Sequence, residues 1–336
     1  MATLRDIAKL AGVDVSTVSR ALNNSQRVRT ELKEKIQKIA KKMNYVPNAS
    51  AYSLKKRINR LIALVLPSIK FSGGEFYQEI LRGINEFVEE YQFAILLSNY
   101  SGRNSAFVRV VRENRVDGGI IIGDIFNNNE LKELDALNLP LIVVNQRVDF
   151  KLKNIIDVYS DNIMGAGILA EHLIKVHERK KILFIGGGED YQTSQDRVKG
   201  FTKTITGKNI QYEITNGQFE QGPSSGYSIV KDMIKQKKFI FDAILAASDT
   251  LAIGAMRACF EERIRVPEDV SIVGYDNIQA TNYFRVPITS VDPSALHMGQ
   301  KAGEFLLKWV TEKTEPRERN LKVTPHLIIR KSCGCS

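Results

Sequence analysis

Near the N-terminus, Val15, Ser16 and Arg20 have the residue types and the spacing needed to read the edges of DNA bases. Arginine can donate two hydrogen bonds to a guanine and serine can bond to several bases, whereas valine can contact only apolar groups such as the thymine methyl. Such contacts require a helix that enters the major groove with its N-terminal residues at the bases. This interpretation therefore depends on the helices that carry these three side chains.

The surrounding sequence predicts two short helices joined by a turn, the helix-turn-helix pattern. Residues 4–11 carry an apolar face at helical spacing, and Gly12 suits the left-handed residue that ends a helix. Asp14 can cap a second helix over Val15–Leu22. A third helix with an apolar stripe and a lysine-rich face is predicted after Thr30.

The net charge supports a polyanionic partner. Residues 1–60 contain fourteen Lys and Arg against four acids, a balance of +10, whereas residues 61–336 contain thirty-four of each sign. Basic charge that is concentrated on helical segments is typical of nucleic-acid binding. A solvated face or a phosphate contact is the alternative for Ser16 and Arg20, and a core position is the alternative for Val15.

Five other polar residues are better placed to contact DNA phosphates or flanking groups, which would position the protein without specifying sequence. They are Thr3, Thr17, Ser19, Asn23 and Arg27.

Residues 3–23, TLRDIAKLAGVDVSTVSRALN, resemble the opening of the lactose/galactose-repressor (LacI/GalR) family. Residues 44–49, NYVPNA, and 51–54, AYSL, resemble the family's hinge. The resemblance implies an all-α helix-turn-helix headpiece over residues 1–46 and a hinge over residues 47–60. It also implies that Val15, Ser16 and Arg20 set the operator preference.

The hinge is too short to form a stable helix alone. The family segment that it resembles folds on operator DNA and pairs with its copy in the minor groove. Leu54 matches the leucine that is wedged into the central base step, and such wedges kink DNA. Lys55 is expected to reach the DNA groove or its phosphates. Asn48 is expected to cap the hinge segment and to contact the DNA backbone. An ordinary linker role is the alternative for Leu54.

From Leu61 onward, apolar runs alternate with amphipathic stretches, which predicts an α/β core of two doubly wound parallel-sheet lobes. The predicted strands, four in each lobe, are 61–66, 93–98, 119–122 and 141–144, then 181–185, 212–214, 243–246 and 270–275. The predicted helices lie near residues 75–91, 104–115, 129–137, 162–176, 195–205, 224–236 and 250–262. Ligands bind beyond the carboxyl ends of such strands, so a cleft between the lobes is expected to hold one.

The core also resembles the family, which shares its fold with periplasmic sugar-binding proteins. The matching segments include 161–162, 196–201, 248–254, 266–277 and 289–291. Three crossovers are implied near Ser160, Ser290 and Leu321. The first lobe would then hold residues 61–160 and 291–320, and the second lobe residues 161–290 and 321–336.

The resemblance places six effector-binding residues in the cleft: Tyr77, Thr193, Arg197, Phe219, Ser248 and Asp276. Arg197 and Asp276 can bond to hydroxyls or a carboxylate, while Phe219 and Tyr77 can stack on a sugar or base. A structural ion pair and ordinary core packing are the respective alternatives. Phe71 and Tyr191 are expected near the same rim.

Two segments depart from the family pattern. The loop 71–75, FSGGE, lacks the family's usual Asn-Pro character and lies at the cleft, so the resemblance does not identify the ligand. The segment 176–179, VHER, is one residue longer than usual and lacks the usual Gly-His, a change that we expect to affect only a surface turn.

Other functional classes receive no support from the sequence. No Gly-x-Ser-x-Gly or His-Glu-x-x-His motif occurs, and the four histidines are scattered without a plausible partner set, so we do not expect an enzyme. The three cysteines form no disulfide framework. Cys333-Gly-Cys335 lacks a second pair of ligands, so we expect reduced thiols at a loose tail, no metal and no cofactor.

The chain also lacks an apolar run of the roughly 18 residues that a membrane span needs, and its N-terminus lacks the pattern of a signal peptide. A cytoplasmic, nucleoid-associated protein is therefore expected, rather than a secreted binding protein.

We therefore expect a transcriptional repressor that binds a pseudo-palindromic operator as a homodimer, because one headpiece covers one half-site. The dimer interface is expected along helices near residues 75–91 and 250–262. Ligand closure of the cleft would change hinge spacing and thus DNA affinity, and a sugar or sugar derivative is the ligand that the family resemblance implies. The alternative is a regulator controlled by a protein partner on the core surface.

Overall fold

The computed structural model describes residues 2–22, 25–45, 58–66, 74–100, 105–124 and 126–335. Within these residues the chain divides into two compact units, Met1–Asn59 and Arg60–Ser336. The first unit is helical, and the second combines helices with two parallel sheets.

The described part of the first unit contains three helices, which we call the headpiece: α1 (Leu4–Ala11), α2 (Val15–Leu22) and α3 (Thr30–Lys42). Thr3 and Asp6 form a reciprocal capping box that begins α1, and Gly12 ends it with a φ of 72°. The helices surround a small core whose fully buried members are Ile7, Val18, Ala21 and Ile36. The periodicity of the sequence thus generates the predicted helix-turn-helix.

The second unit, the core, has two lobes with a six-stranded sheet each. The first lobe contains β1 (Leu61–Leu66), β2 (Ala94–Asn99), β3 (Gly118–Ile122), β4 (Leu141–Val144), β5 (Ile155–Ser160) and β11 (Asn320–Val323). The second contains β6 (Lys181–Gly186), β7 (Gln211–Asn216), β8 (Ala243–Ala246), β9 (Ser271–Tyr275), β10 (Thr289–Asp292) and β12 (His326–Ile328). Their orders are β11-β5-β4-β3-β1-β2 and β12-β10-β9-β8-β6-β7, and among the strands described here only β10 and β12 pair in an antiparallel manner.

Helices flank both sheets, as doubly wound sheets require. In the first lobe they are α4 (Glu75–Glu90), α5 (Ala106–Arg112), α6 (Asn128–Asp135) and α11 (Ala295–Glu312). In the second lobe they are α7 (Asn162–Lys175), α8 (Gln192–Ile205), α9 (Pro223–Lys235) and α10 (Asp249–Glu261). Among the described residues, no helix has both the length and the apolar composition that a bilayer crossing requires.

The structure has more elements than the four strands and three or four helices predicted for each lobe. The strands β5 and β10 and the helix α11 were not predicted. Residues 321–336 were expected in the second lobe, where β12 lies, whereas β11 belongs to the sheet of the first lobe. β11 and β12 are short edge strands whose side chains are only partly buried, so they lack the long apolar run that reveals a buried strand. The chain leaves the second lobe after β10, which ends at Asp292, and leaves the first lobe after β11, which ends at Val323, close to the crossovers implied near Ser290 and Leu321.

Helix α11 returns to the first lobe and packs closely against α4. A Cβ atom at Gly83 would lie 2.3 Å from the Leu296 carbonyl oxygen, and one at Gly299 would lie 2.1 Å from the Ile80 carbonyl oxygen. Only glycine permits the two backbones to approach this closely. The contact secures the first lobe although the two helices are far apart in sequence.

The C-terminal segment differs from the loose tail that the sequence suggested. Lys331–Cys333 form a 3₁₀ turn in which Ser332 and Cys333 are fully buried. The expectation that Cys333 and Cys335 lack a second pair of candidate ligands is also wrong, because the turn packs beside His172 and His177. The segment 176–179 is therefore more than a surface turn, since it carries one of these histidines.

Candidate functional site

A cavity of about 620 Å³ lies between the two lobes of the core. All six residues predicted to contact an effector line it: Tyr77, Thr193, Arg197, Phe219, Ser248 and Asp276. Tyr191 lines it too, whereas Phe71 lies outside the described residues. Most of these residues lie at the carboxyl ends of strands or at the first turns of the following helices, where an open α/β sheet places its ligands.

Arg197 forms the buried centre of the cavity wall and is only 3% exposed. Its Nε donates to Asn162 at 2.8 Å, its Nη1 donates to the Ala247 carbonyl, and its Nη2 lies 3.3 Å from Asp276. The guanidinium carbon also lies 3.7 Å from the centre of the Tyr275 ring. These partners fix the guanidinium in one orientation. Its position is compatible both with the predicted contact to a ligand and with the alternative, a structural ion pair with Asp276.

Asp276 directly follows β9 and has a φ of 104°, which aims its side chain across the end of the sheet. Burial raises the pKa of this carboxyl to about 6, and the nearby Arg197 offsets only part of that effect. A carboxyl that is short of hydrogen-bond donors gains most from ligand hydroxyls, because such donors stabilise its charged form.

Aromatic side chains line another part of the cavity. The Phe219 ring covers Gly187, where a Cβ atom would lie 2.0 Å from the ring, so only glycine leaves room for it. Tyr191 packs edge-on against Phe219 at a centroid distance of 5.4 Å, and its hydroxyl donates to Glu220. The glycines at 186–188 thus form a strand-to-loop turn, and this turn leaves room for the Phe219 ring at the cleft.

The structure adds cavity residues that the sequence analysis missed. Asp124 and Asn145 follow the carboxyl ends of β3 and β4. Because ligands bind beyond these ends of parallel strands, their positions in the sequence could have identified them. Asn145 is 7% exposed, and no donor from the described residues bonds to its Oδ1, which leaves that oxygen for a ligand or water. The other additions are Gly74, Glu75, Phe76, Glu220, Gly222, Thr250 and Ile278.

Polar contacts join the two lobes beside the cavity. Asp124 of the first lobe accepts a hydrogen bond of 2.6 Å from the Thr193 backbone N–H of the second lobe. Arg147 pairs with Asp196 at 2.9 Å across the same boundary. Elsewhere along this boundary, the Glu75 carboxylate of the first lobe accepts a hydrogen bond of 3.3 Å from the Ala280 backbone N–H of the second lobe. These contacts are few and polar, so their rearrangement can open or close the cleft without disturbing either apolar core.

The charges of the cavity indicate which ligands fit. Of the described residues that line it, Glu75, Asp124, Glu220 and Asp276 carry carboxyl groups and Arg197 carries a guanidinium. That guanidinium already faces Asp276, so a phosphate or other anion would meet mostly like charge. Carboxylate acceptors, an amide and aromatic faces instead match a neutral ligand that is rich in hydroxyl groups.

In the headpiece, the start of α2 presents its side chains outward. Ser16 and Arg20 are exposed, and Val15 is 39% exposed, which does not fit the alternative that Val15 is a core residue. The side chains that face the headpiece core from this helix are Val18 and Ala21 instead. Val15, Ser16 and Arg20 therefore form one accessible patch, which can meet base edges if the helix enters a major groove.

The predicted backbone contacts are only partly described. Arg27 is exposed, Thr17 and Ser19 are partly exposed, and the Thr3 hydroxyl donates to Asp6 at 2.7 Å as part of the cap. Asn23, Asn48, Leu54 and Lys55 lie outside the described residues, so their roles remain predictions.

An exposed helix-turn-helix patch and a two-lobed core with a ligand-sized cavity define the class of DNA-binding regulators that carry a ligand-binding domain. Residues 3–48 match the sequence profile described as "Bacterial regulatory proteins, lacI family", and residues 170–333 match that of the "Periplasmic binding protein-like domain". The chain is 30% identical over 342 residues to the HTH-type transcriptional repressor PurR of Haemophilus influenzae (strain PittEE), which covers 99% of this chain and 98% of the relative. PurR of Pasteurella multocida (strain Pm70) is also 30% identical, over 339 residues.

Solved structures agree with these relatives. A lac repressor dimer bound to operator and the anti-inducer ONPF is 25% identical with a TM-score of 0.85, and 99% of both chains are covered. A complex of the transcriptional regulator CelR with cellobiose is 26% identical with a TM-score of 0.72, covering 99% of this chain and all of that chain. The chain belongs to the lacI family of bacterial regulatory proteins. It is a transcriptional repressor of that family with a ligand-binding domain, and not an enzyme.

Proposed function

We propose that this repressor binds a pseudo-palindromic operator as a homodimer and is controlled by a neutral sugar or sugar derivative that enters the interlobe cavity. The observation that carries the effector part is the convergence of all six predicted contact residues on one cavity of about 620 Å³. That volume lies within the range of about 300–1,000 Å³ that is usual for small-molecule sites. CelR is described with bound cellobiose, which supports the same ligand class here.

In this proposal each contact has a role. Phe219 stacks on the apolar face of the sugar ring, and Asp276 and Asn145 accept hydrogen bonds from its hydroxyls. Arg197 holds Asp276 in place at 3.3 Å and donates to a ligand oxygen. The four carboxylates of the cavity disfavour phosphorylated sugars, so the effector is an uncharged compound.

The dimer follows from the DNA partner, because a helix-turn-helix headpiece covers one half-site and a two-fold operator requires two. The proposed interface runs along α4 and α10 of the core. The lac repressor structure above is described as a dimer on operator DNA, which supports this assembly. A repressor that works on DNA acts in the cytoplasm, at the nucleoid.

The proposed control is a shift between cleft conformations. A ligand that contacts both lobes stabilises the arrangement in which Asp124 meets Thr193 and Glu75 meets the Ala280 backbone. The first lobes then reorient within the dimer, which changes the spacing of the hinges and the affinity for DNA. Operator binding measured with and without ligand tells whether the ligand is an inducer or a corepressor.

A thermal-shift screen of the full chain against neutral mono- and disaccharides, sugar phosphates and purines tests the proposal. A neutral sugar at one hundred times its Kd should add about 2.7 kcal/mol of stability. Phe219→Ala should remove this effect by deleting the stacking surface. Tyr212→Ala is the matched control, because Tyr212 is 50% exposed outside the cavity.

Stabilisation that survives in Phe219→Ala would place the ligand elsewhere. Preferential stabilisation by sugar phosphates would contradict the charge argument. Failure of every small molecule would favour control by a protein partner on the core surface, while leaving the DNA-binding headpiece unaffected.

A further inference from the structure

We propose that His172, His177, Cys333 and Cys335 form a zinc-binding site in the second lobe, away from the effector cavity. One potential ligand atom from each of the four lies within 4.8 Å of all the others. Two imidazole nitrogens and two thiolates are a donor set that structural zinc sites use. None of the four residues lines the interlobe cavity, so this site is separate from ligand sensing.

Three of the distances between the ligand atoms are close to those of a tetrahedral zinc site. Zn–S bonds of about 2.3 Å and Zn–N bonds of about 2.0–2.1 Å place neighbouring ligand atoms of a tetrahedron roughly 3.3–3.8 Å apart. The two histidine Nε2 atoms lie 3.2 Å apart. The Cys335 Sγ lies 3.4 Å from Nε2 of His177 and 3.8 Å from Nε2 of His172. Three of the six edges of the proposed tetrahedron are therefore close to these lengths, and the three that involve Cys333 are no longer than 4.8 Å.

The histidine pair comes from the end of α7. His172 lies in the last turn of that helix and is 7% exposed, and His177 follows the residue that ends it. Their rings meet nearly perpendicularly, at 78° and a centroid distance of 4.8 Å, with the Nε2 atoms facing each other. Two imidazoles cannot both donate across 3.2 Å when both nitrogens carry a proton, whereas a shared metal uses the lone pair of each.

The cysteine pair is fixed by the C-terminal 3₁₀ turn. The Ser332 N–H donates to Pro287 at 3.0 Å, and Ser271 Oγ donates to the Cys333 carbonyl at 2.7 Å. Gly334, with a φ of 114°, lies between the cysteines, and a Cβ atom there would lie 3.0 Å from the His177 ring. A glycine is thus needed both for the backbone conformation and for the approach of His177.

Four protein ligands leave no open position, so the proposed zinc is structural rather than catalytic. The Cys333 thiol lies 3.3 Å from the Arg330 carbonyl, and deprotonation on metal binding would exchange that contact for the Zn–S bond. The ion would tie the end of α7 to the C-terminal turn, two segments that are joined otherwise only by packing and hydrogen bonds. Removing zinc should therefore lower the stability of the second lobe.

Metal content tests the site directly. The full chain, purified with a non-thiol reductant and dialysed against zinc-free buffer, should retain about one zinc ion per chain by mass spectrometry. Replacement by Co²⁺ should give the intense visible absorption of a tetrahedral cobalt–thiolate centre. A strong zinc chelator should lower the Tm, and added Zn²⁺ should restore it.

Cys335→Ser and His177→Gln are the informative variants, because both residues are only partly buried and their replacement leaves the lobe core intact. Each should weaken zinc binding by more than about 100-fold, since loss of a ligand exceeds the 10- to 100-fold effect of outer partners. His297→Gln is the matched control, because His297 is exposed on α11. A protein that binds no zinc in competition with a chromophoric chelator, or that binds it equally in Cys335→Ser, would overturn the proposal.

Discussion

The headpiece and the core place their functional side chains in opposite environments. In the headpiece, Ser16 and Arg20 stand in solvent on a helix whose other face holds the unit together. In the core, Arg197 is 3% exposed and bonds to Asn162, Ala247 and Asp276. The same residue type, arginine, is therefore exposed to solvent in one unit and part of the packing in the other.

This difference has an energetic consequence. An exposed arginine can be replaced with little change in folding free energy, because water solvates it in both the folded and the unfolded state. A buried arginine leaves unpaired acceptors and an uncompensated carboxylate when it is removed. Binding and stability should therefore separate in the headpiece and remain coupled in the cleft.

The largest expected effect is that of Arg197→Ala on the core. Breaking a buried ion pair by removing one partner typically destabilises by about 3–5 kcal/mol, and Asp276 would lose its counter-ion here. Urea unfolding followed by the fluorescence of Trp309, the single tryptophan of the chain, reports the core alone because the headpiece contains none.

Arg265→Ala is the control for this variant. Arg265 is 70% exposed and pairs with Asp269 outside the proposed dimer interface, so its loss should change stability by less than about 1 kcal/mol. Equal effects of the two substitutions would mean that the cleft ion pair is solvated and that the contrast between the two units is wrong.

Arg20→Ala should have the opposite effect to Arg197→Ala: it should weaken DNA binding without changing stability. We expect specific operator affinity to fall by about 1–3 kcal/mol with no change in the Tm, because a bidentate guanine contact is lost and no buried contact is disturbed. DNA that the wild-type protein selects from a random library serves as the probe. An equal loss on unselected DNA would make Arg20 a phosphate contact.

The headpiece was predictable from sequence because its information is local. Helical periodicity, the Thr3–Asp6 cap and the glycine at position 12 all lie within one or two turns of the elements that they define. Exposure of the start of α2 followed from the same periodicity, since Val18 and Ala21 had to face inward. The hinge residues Leu54 and Lys55 lie outside the described residues and remain predictions.

The cleft was predictable only in part. The family resemblance implied six residues of its wall. Asp124 and Asn145 were not predicted, although they follow β3 and β4 and ligands bind beyond the carboxyl ends of parallel strands. Helix α11 was not predicted either, although glycines at 299 and 303, four residues apart, indicate a helix face that packs closely against a neighbour.

The histidine–cysteine cluster could not be predicted from spacing. His177 and Cys333 are far apart in sequence, and only the return of the chain along the second lobe brings them together. Motif rules for zinc sites expect pairs such as His-x3–5-His and Cys-x2–4-Cys. His172 and His177 have the histidine spacing, but Cys-Gly-Cys is one residue shorter than the cysteine spacing, and the two pairs are far apart in sequence. His177 lies in the segment 176–179, where the sequence departs from the family pattern.

The pH dependence of core stability should sharpen the contrast further. Burial raises the pKa of Asp124 to about 6, against about 3.9 for a solvated aspartate. A carboxyl with a raised folded-state pKa binds its proton more tightly in the folded chain, so its contribution to stability is full below about pH 4 and is lost as pH rises through about 6. The wild type should therefore lose stability relative to Asp124→Asn over this interval.

The amide in Asp124→Asn keeps an acceptor for the Thr193 N–H, so the comparison isolates the charge. Asp190→Asn, a change of the same kind at an exposed position, is the control and should leave the pH profile unchanged. Parallel profiles for wild type and Asp124→Asn would show that water reaches the carboxyl and that the cleft is open in the unliganded protein.

The smallest expected effect is that of Arg27→Ala in the headpiece. Arg27 is exposed outside the predicted recognition helix, where a phosphate contact adds affinity without sequence preference. The variant should bind selected and unselected DNA more weakly by similar factors, and the slope of log affinity against log salt should shrink by about 1. A loss confined to selected DNA would instead make Arg27 a base contact, and the recognition surface would then extend beyond α2.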